Sequence, residues 1–295
     1  STNKKNFFVS NNTKNIKAAI TAVGGYIPQD FISNKDLEQM VDTNDEWITA
    51  RTGIKKRRIL KEKGKATSYL AINAAKDLLN RNGVDPKTID LVILATIEDI
   101  ISAPIRRTFL YLVILATITP DYHVASTAPT VASEIKALNA YAFDINAACS
   151  GFLYGMSTAT SYIESGRYKK VLLIGADMMS SIVDYTDRST SILFGDGAGA
   201  VLVEPSINDF GWEDEYLRSD GIGAEWLKVK SGGSMYPTSK ESFANKWHYI
   251  TQEGKTIFKS AVSGMANATE QIIIRNNLKP EQIKYLLPHQ ANKRT

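Results

Sequence analysis

Apolar runs short enough for buried strands alternate with longer amphipathic stretches along this chain of 295 residues, and this alternation most constrains its fold. The strand-like runs are 16–26, 90–97, 141–145, 170–176, two within 192–203, and 283–287. The helix-like stretches are 34–41, with Asn34 as the expected N-cap, 65–83 and 254–277. Strands that alternate with helices predict an α/β fold whose sheet is largely parallel and covered on both faces.

Composition indicates a globular protein without a nucleic-acid or membrane partner. A hydrophobic content of 43% and a charged content of 22% are ordinary for this class. The formal net charge of +4 is too small to indicate nucleic-acid binding, and no apolar run approaches the length of a membrane span. The single cysteine excludes an intrachain disulfide and a multi-cysteine zinc site, and it fits a cytoplasmic location. Residues 1–15 are rich in Asn and Lys and are interpreted as a polar leader.

That cysteine, Cys149, stands where a strand-like run gives way to a helix-like stretch. The run 141–145 is followed by small residues, Asn146-Ala-Ala-Cys-Ser-Gly151, before the helical pattern begins. The partial positive charge of a helix N-terminus favours the thiolate, and small neighbours let a substrate approach the sulfur. Free cysteines are also among the most buried residue types. The local pattern therefore leaves a catalytic nucleophile and an inert core residue equally open.

Five segments in order resemble β-ketoacyl-acyl-carrier-protein synthase III, a family of the thiolase-like superfamily. They are 44–54 (NDEWITARTGI), 144–151 (DINAACSG), 187–190 (DRST), 194–200 (FGDGAGA) and 288–292 (PHQAN). The resemblance covers nearly the whole chain apart from the leader and a duplicated region. It implies two similar α/β halves stacked as five αβαβα layers, the first at 16–205 and the second, incomplete, at 206–295. It also implies a homodimer.

The resemblance implies a decarboxylating Claisen condensation of an acyl-CoA primer, typically acetyl-CoA, with malonyl-acyl carrier protein. The product is a 3-oxoacyl-acyl carrier protein, which initiates fatty-acid synthesis without a cofactor or a metal. Cys149 matches the nucleophile that carries the acyl group, and His289 matches the histidine whose N–H stabilises the developing enolate. The family's third catalytic residue, an asparagine, is expected beyond Thr295, so no residue here is assigned to it. We therefore expect this chain by itself to be poorly stable or inactive.

The same resemblance assigns the residues that bind the substrates. The substrate-binding residues are Trp47, Arg51, Arg188, Phe258 and Asn292, and the residues that dock the acidic carrier protein are Lys259 and Arg294. The first three hold the adenine of CoA, and the next two line the tunnel for its pantetheine arm. Trp47 and Arg51 are four apart and share one face of a helix. Taken singly, Trp47 would be interpreted as a core aromatic and Arg188 as part of a surface salt bridge. Lys259 and Arg294 could equally be solvated charges.

Two local patterns add expectations about the site. His289 follows the strand-like run 283–287, so we expect it to project from a strand end towards a pocket. The glycine-rich segment 195–199 lacks the spacing of a dinucleotide-binding loop, so a Rossmann site is rejected. We expect these glycines to allow close backbone packing near the active site.

One feature is abnormal, because the sequence Leu-Val-Ile-Leu-Ala-Thr-Ile occurs at 91–97 and again at 112–118. Two identical strands would compete for one position in the sheet. The range 98–118 is therefore interpreted as a duplicated insert. Of the two copies, 112–118 is expected to occupy the sheet, since the residues that follow it, 119–122, continue the family pattern.

Two other functions stay open at this stage. A thioesterase or amidotransferase with a cysteine nucleophile would need a glycine on each side of that cysteine and a carboxylate partner for histidine; the sequence has glycine only after Cys149. An incomplete condensing enzyme that only binds CoA or the carrier protein would leave the cysteine unacylated. Binding of CoA without acyl transfer would separate this last alternative from the enzyme.

Overall fold

A mixed five-stranded sheet with helices on both faces forms the centre of the protein. The computed structural model describes residues 16–89, 110–208, 210–289 and residue 291. Within these ranges the strands are β1 (Ala18–Tyr26), β2 (Phe31–Ser33), β3 (Lys56–Arg58), β4 (Leu110–Ala116), β5 (Tyr141–Ile145), β6 (Tyr168–Met178), β7 (Asp196–Pro205), β8 (Leu227–Val229) and β9 (Ile250–Gln252). The helices are α1 (Asn34–Glu38), α2 (Asp45–Thr52), α3 (Thr67–Asn82), α4 (Ala128–Glu134), α5 (Gly151–Glu164), α6 (Arg188–Ser191), α7 (Lys240–Ala244) and α8 (Gly254–Arg275). None of these helices combines the length and the apolar character needed to cross a bilayer.

The main sheet has the strand order β1-β7-β6-β4-β5. β4 runs parallel to β5 and β6, whereas β7 runs antiparallel to β6 and β1. The prediction of a largely parallel sheet is thus wrong for half of the pairings. The cause is the connection from β6 to β7, which leaves at Met178 and re-enters at Asp196, the residue paired with Met178. A connection that stays at one end of a sheet returns the chain antiparallel, because a parallel return needs a crossover.

The two faces of the sheet carry separate apolar cores, as predicted. One core joins α3 and α4 to the sheet through residues such as Leu78, Val131 and Leu115. The other joins α5 to the opposite face through residues such as Ile163 and Leu173. Alternating strand residues serve the two cores, because successive side chains of a strand point to opposite faces.

The helix predicted at 65–83 is confirmed to within two residues as α3. Its buried face carries apolar residues at helical spacing, and it ends at Gly83, whose φ of 61° lies in the left-handed region that glycine adopts without strain. At Gly24 of β1, a Cβ atom would lie only 2.4 Å from the backbone nitrogen of Leu78. The helix and the strand therefore approach each other closely enough that only glycine fits at that point.

The second copy of the duplicated heptapeptide supplies the strand, as predicted. β4 contains residues 112–116 of that copy and lies between β5 and β6. Part of the range 98–118 is therefore an interior strand of the sheet, and the interpretation of this whole range as an insert is wrong for 110–116. The first copy, 91–97, lies outside the described residues.

Several element boundaries differ from the sequence predictions. The helix predicted at 34–41 ends at Glu38, and its N-cap is Ser33, whose hydroxyl accepts from the backbone N–H of Asp36. The segment 192–203 holds one strand, β7, because α6 and a turn occupy the residues before Asp196. The strand predicted at 141–145 is confirmed, and the one predicted at 170–176 is confirmed as part of β6.

The described part of 206–295 contains the β8–β9 pair, α7 and α8. The helix predicted at 254–277 is confirmed as α8, although none of its residues is buried. Its C-terminal end is tied down by Asp214, whose carboxylate accepts from Arg275 and Asn276. The strand predicted at 283–287 is wrong: these residues are irregular, because no described strand pairs with them and a strand needs a pairing partner.

Candidate active site

Cys149 lies on a tight turn between the end of β5 and the start of α5. Residues Ala148–Ser150 form a single turn of 3₁₀ helix, and α5 begins at Gly151. Ala148 has a φ of 45°, a left-handed conformation that costs a non-glycine residue about 1–2 kcal/mol. The surrounding packing holds this strain and presents the Cys149 side chain to solvent. The predicted strand-to-helix turn at the cysteine is thus confirmed.

The turn rests on the end of β4. A Cβ atom placed on Gly151 would lie 3.3 Å from the Cβ of Ala116, the last residue of that strand. The carboxyl ends of β4, β5 and β6 lie side by side, because these three strands are parallel. Cys149 therefore sits where an open α/β sheet places its ligands, beyond the carboxyl ends of parallel strands.

The electrostatic environment of the thiol differs from the sequence expectation. Burial of part of the group raises the pKa of Cys149, the negative charge of Asp177 raises it further, and a backbone hydrogen bond lowers it. The net direction is upward, whereas the helix N-terminus alone predicted a downward shift. Burial is the largest of these contributions to the pKa of Cys149, and it outweighs the lowering by the backbone hydrogen bond. The resting group is therefore a thiol at neutral pH.

Two aspartates organise the loops around this turn, and the sequence analysis missed both. Asp177, at the end of β6, accepts hydrogen bonds from the segment 117–119 that follows β4. Asp144, in β5, accepts from the backbone N–H groups of Thr127 and Ala128 at 2.7 Å each and fixes the start of α4. Burial raises the pKa of both carboxyls, and the hydrogen bonds they accept oppose that rise. The available signal was an aspartate placed at the end of a buried strand.

Trp47, Arg51 and Arg188 are brought together as predicted. The guanidinium carbons of Arg51 and Arg188 lie 4.7 Å and 4.9 Å from the centre of the Trp47 ring. The Asn44 side chain caps α2 by accepting from the Trp47 N–H at 2.8 Å, which fixes the start of the helix. Arg188 also donates to the carbonyl oxygen of Asp42 at 3.0 Å. The cluster offers an aromatic face and two cations to a planar, anionic ligand.

A buried arginine supports this cluster from below. Arg57 is 2% exposed and donates from Nε to the carbonyl oxygen of Ile192 at 2.8 Å. It also donates to the Oδ1 atom of Asn34. Burial lowers the pKa of Arg57 to about 10. Ile192 directly follows α6, which carries Arg188, and Asn34 begins α1. Asn34 in turn donates to the Asp45 carboxylate at 2.6 Å, so Arg57 is linked through it to α2, which carries Trp47.

The remaining predicted residues are not gathered at the thiol by any described contact. His289 is exposed within an irregular segment, so the expectation that it projects from a strand end into a pocket is wrong in this structure. Phe258 is half-buried and Lys259 is exposed, both on the first half of α8. Asn292 and Arg294 lie outside the described residues. Within the described ranges, no three His, Cys, Asp or Glu side chains are placed to hold a metal ion.

The prediction that the glycines of 195–199 allow close backbone packing is confirmed for Gly195. A Cβ atom on Gly195 would lie 2.9 Å from the carbonyl oxygen of Arg58, so the chain passes directly against β3 there. Gly199 has no neighbouring atom within 4 Å of that position. The segment opens β7 rather than a helix, which leaves no N-terminus for a dinucleotide.

Comparison with known proteins identifies the family. A family model described as 3-oxoacyl-[acyl-carrier-protein (ACP)] synthase III matches residues 143–221. The chain is 49% identical over 279 residues to a beta-ketoacyl-[acyl-carrier-protein] synthase III of Porphyromonas gingivalis, covering 95% of this chain and 77% of that protein. It is 51% identical over 281 residues to the protein of that name from Chlorobium chlorochromatii, covering 95% and 79%.

Solved structures give the same result for the fold. The crystal structure of 3-oxoacyl-[acyl-carrier-protein] synthase III from Aquifex aeolicus matches with a TM-score of 0.78 at 39% identity, over 95% of this chain and 78% of that one. The enzyme of that family from Thermus thermophilus matches with a TM-score of 0.78 at 35% identity, over 94% and 78%. The chain thus has a thiolase-like α/β fold and belongs to the β-ketoacyl-[acyl-carrier-protein] synthase III family.

Proposed function

We propose that this protein is an acyltransferase that condenses an acyl-CoA primer with malonyl-acyl carrier protein and so initiates fatty-acid synthesis. The observation that carries the proposal is the position of Cys149, solvent-exposed on a strained turn beyond the carboxyl ends of β4, β5 and β6. Family membership supplies the reaction class. A hydrolase is not favoured, since the relatives are condensing enzymes.

The first half-reaction transfers the primer to Cys149. The sulfur attacks the thioester carbonyl carbon, a new carbon–sulfur bond forms, and the bond to CoA breaks. CoA leaves as its thiolate and takes up the proton that the Cys149 thiol gave up. An acyl-enzyme of this kind divides one difficult step into two easier ones. The backbone N–H of Cys149 is the proposed donor to the oxygen that becomes negative.

The second half-reaction forms the carbon–carbon bond. Malonyl-acyl carrier protein loses carbon dioxide, and the electron pair of the broken bond passes to an enolate. The proposed role of His289 is to donate a hydrogen bond to the enolate oxygen, which lowers the barrier to decarboxylation. The enolate carbon then attacks the acyl carbon and releases the Cys149 sulfur. The products are a 3-oxoacyl-acyl carrier protein, carbon dioxide and CoA.

Substrate recognition is proposed to divide between two surfaces. The cluster of Trp47, Arg51 and Arg188 receives the adenine and phosphates of CoA, and Phe258 and Asn292 line the pantetheine path. Lys259 and Arg294 attract the acidic carrier protein, an effect that acts mainly on the association rate and weakens with salt. We expect Lys259→Glu to lower kcat/KM for malonyl-acyl carrier protein, with the acylation rate unchanged. The charge-matched control is Lys76→Glu on α3, and an equal effect of both variants would contradict the proposal.

A homodimer in the cytoplasm is also proposed. β5 is an edge strand of the described sheet and pairs only with β4 among the described strands. An unpaired sheet edge is stabilised when another chain or element covers it. Sedimentation equilibrium of the purified protein tests the dimer, and a monomer at micromolar concentration would contradict it.

Intact-protein mass spectrometry before and after incubation with acetyl-CoA tests the central proposal. We expect the mass of one acetyl group to be added to the wild type and no addition to Cys149→Ala. Circular dichroism of the variant checks that its fold is retained. If the folded wild type gains no acyl group from acetyl-CoA or from other short acyl-CoAs, the acyltransferase proposal is wrong.

A further inference from the structure

Asp177 holds an unusual position among the acidic residues of the described chain. One oxygen of its carboxylate, Oδ1, accepts four hydrogen bonds from three consecutive residues. The donors are the Thr117 hydroxyl at 3.0 Å, the Ile118 N–H at 2.8 Å, the Thr119 N–H at 3.2 Å and the Thr119 hydroxyl at 2.9 Å. A single carboxylate at the end of β6 thus closes the turn that follows β4.

This turn directly follows the end of β4, on which the Cys149 turn rests. A Cβ atom on Gly151, two residues after Cys149, would lie 3.3 Å from the Cβ of Ala116, the residue before the 117–119 turn. The Thr119 hydroxyl also accepts from the backbone N–H of Met178 at 2.9 Å, so the turn is fastened to β6 at a second point. A shift of the 117–119 turn would therefore move the surface on which the Cys149 turn rests.

We propose that Asp177 is a positioning residue for acyl transfer, fastening the end of β4 to β6 beneath the Cys149 turn and placing a negative charge beside the thiol. The role in positioning for acyl transfer rests on the proposed function. The effect of the Asp177 charge on the Cys149 thiol does not depend on it. Nothing in the chemistry of the two half-reactions requires the carboxylate to contact a substrate.

The electrostatics agree with this arrangement. Asp177 is the charged residue, within the described ranges, that acts on Cys149, and its charge raises the pKa of the thiol. The other buried carboxylates near these strands are engaged elsewhere. Asp144 accepts from Thr127 and Ala128, and Asp196 accepts from the N–H groups of Leu60 and Ser180. Burial is the larger cause of the upward shift in the pKa of Cys149, and the Asp177 charge adds to it, so both disfavour the thiolate.

The first experiment measures the rate of Cys149 alkylation by iodoacetamide against pH in the full chain, with intact mass as the readout. Asp177→Asn keeps the acceptor oxygen at Oδ1 and removes the charge. We expect the midpoint of its rate profile to move to lower pH by about one pH unit, because a neighbouring negative charge disfavours the thiolate. The matched control is Asp196→Asn, which removes a comparable buried charge and should leave the midpoint in place. An unmoved midpoint in Asp177→Asn overturns the proposal.

The second experiment tests positioning without changing any charge. Thr117→Val removes one donor to Asp177 and nearly preserves the side-chain volume. We expect its alkylation profile to match the wild type and its acylation by acetyl-CoA to slow about tenfold, because small displacements at a reacting centre cost rate. An unchanged acylation rate in Thr117→Val overturns the positioning role. If Asp177→Asn does not fold, the result with Thr117→Val decides the positioning role by itself. If the wild type itself takes up no acyl group, the proposed function has failed, and the alkylation profile still decides the effect of the Asp177 charge.

Discussion

At the scale of single residues, the Trp47 cluster shows how short-range and long-range placement combine. Trp47 and Arg51 share a face of α2 because they are four residues apart, and this pairing is visible in the sequence. Arg188 arrives from α6, more than a hundred residues away, and its contact with Trp47 depends on the fold. Both guanidinium groups lie against the indole. Under the proposed function, an adenine ring would replace one of them or enter between Trp47 and Arg188.

This geometry predicts that Trp47 contributes to binding of CoA but not to acyl chemistry. Base stacking on an aromatic side chain is worth about 1–3 kcal/mol, so Trp47→Ala should weaken CoA binding by about tenfold or more. Isothermal titration with CoA measures the loss. The control substrate is the acetyl thioester of N-acetylcysteamine, which lacks the nucleotide. Its rate of Cys149 acylation should be the same in the variant and the wild type, and a parallel loss with both substrates would refute the stacking role.

Arg57 provides a second prediction at this scale. Its buried guanidinium has neutral partners, the Ile192 carbonyl and the Asn34 amide oxygen. Arg57→Met keeps much of the apolar volume and leaves these two acceptors without a donor. We expect the free energy of unfolding to fall by about 2 kcal/mol, since an unsatisfied buried acceptor costs about 1–3 kcal/mol.

Urea unfolding followed by circular dichroism measures this change. The neighbouring Arg58 is exposed, so Arg58→Met should cost less than about 1 kcal/mol. Equal losses in the two variants would show that the buried hydrogen bonds of Arg57 are not the cause.

At the scale of elements, the approach of α3 to β1 sets the most stringent packing requirement. A Cβ atom on Gly24 would lie 2.4 Å from the Leu78 nitrogen and 2.7 Å from the Ala74 carbonyl oxygen. Both are backbone atoms inside a helix and cannot rotate away. Gly24→Ala must therefore separate the helix from the sheet.

We expect Gly24→Ala to destabilise the protein by about 3 kcal/mol, the upper end for overpacking of a core. The matched control is Gly199→Ala on β7, where no atom lies within 4 Å of the added methyl group. That variant should change stability by less than about 0.5 kcal/mol. Thermal unfolding of the two variants gives the comparison, and a small loss in Gly24→Ala would contradict the packing argument.

The elements themselves were largely predictable, and the reasons for the exceptions are physical. α3, α8, β5 and β6 follow from apolar periodicity, which a local stretch of sequence carries in full. The direction of β7 was not predictable in that way, because it depends on which end of the sheet the connection from β6 leaves. The run 283–287 has strand-like composition but no described pairing partner, and pairing is not a local property.

The site was predictable to a similar extent. Cys149 was located by its position between a strand pattern and a helix pattern, and the family motifs supplied its role. The direction of its pKa was not predictable, since burial and the charge of Asp177 depend on contacts across the sheet. The link from Asp177 to Thr117 spans 60 residues of sequence, so no local pattern shows it.

At the scale of the whole molecule, the duplicated heptapeptide raises the question of which copy forms the strand between β5 and β6. β4 is the one strand that pairs with both β5 and β6, and its residues Leu112, Ile114 and Leu115 are fully buried. Residues 91–97 have the same sequence as 112–118, so their side chains would suit the same place between β5 and β6. Only one copy can pair with β5 and β6 at a time, and the second copy is the one found there.

Substitution of the same residue in each copy tests this occupancy. Ile114→Ala removes a fully buried side chain of β4 and should cost about 2–5 kcal/mol. Ile93→Ala makes the identical change in the first copy, and we expect it to cost less than about 1 kcal/mol. Chemical denaturation of both variants gives the comparison. A larger loss from Ile93→Ala would mean that the first copy forms the strand in solution.

Deletion of residues 91–111 extends the argument to the whole chain. It joins Asp90 to Leu112 and leaves a single heptapeptide, whichever copy is regarded as removed. Ile89 and Val113, on the two sides of the junction, belong to the same apolar core. The shortened chain therefore enters β4 directly from Ile89 and Asp90, and Ile89 is already buried in the core that β4 joins. Closing a shorter connection costs less entropy, and one competing strand is removed, so we expect the free energy of unfolding to rise by about 1 kcal/mol. Acylation of Cys149 by acetyl-CoA should be retained, because residues 112–116 of β4, Asp177 and the 117–119 turn are all kept. A shortened chain that unfolds more readily than the full one would show that the deleted residues contribute to the native structure.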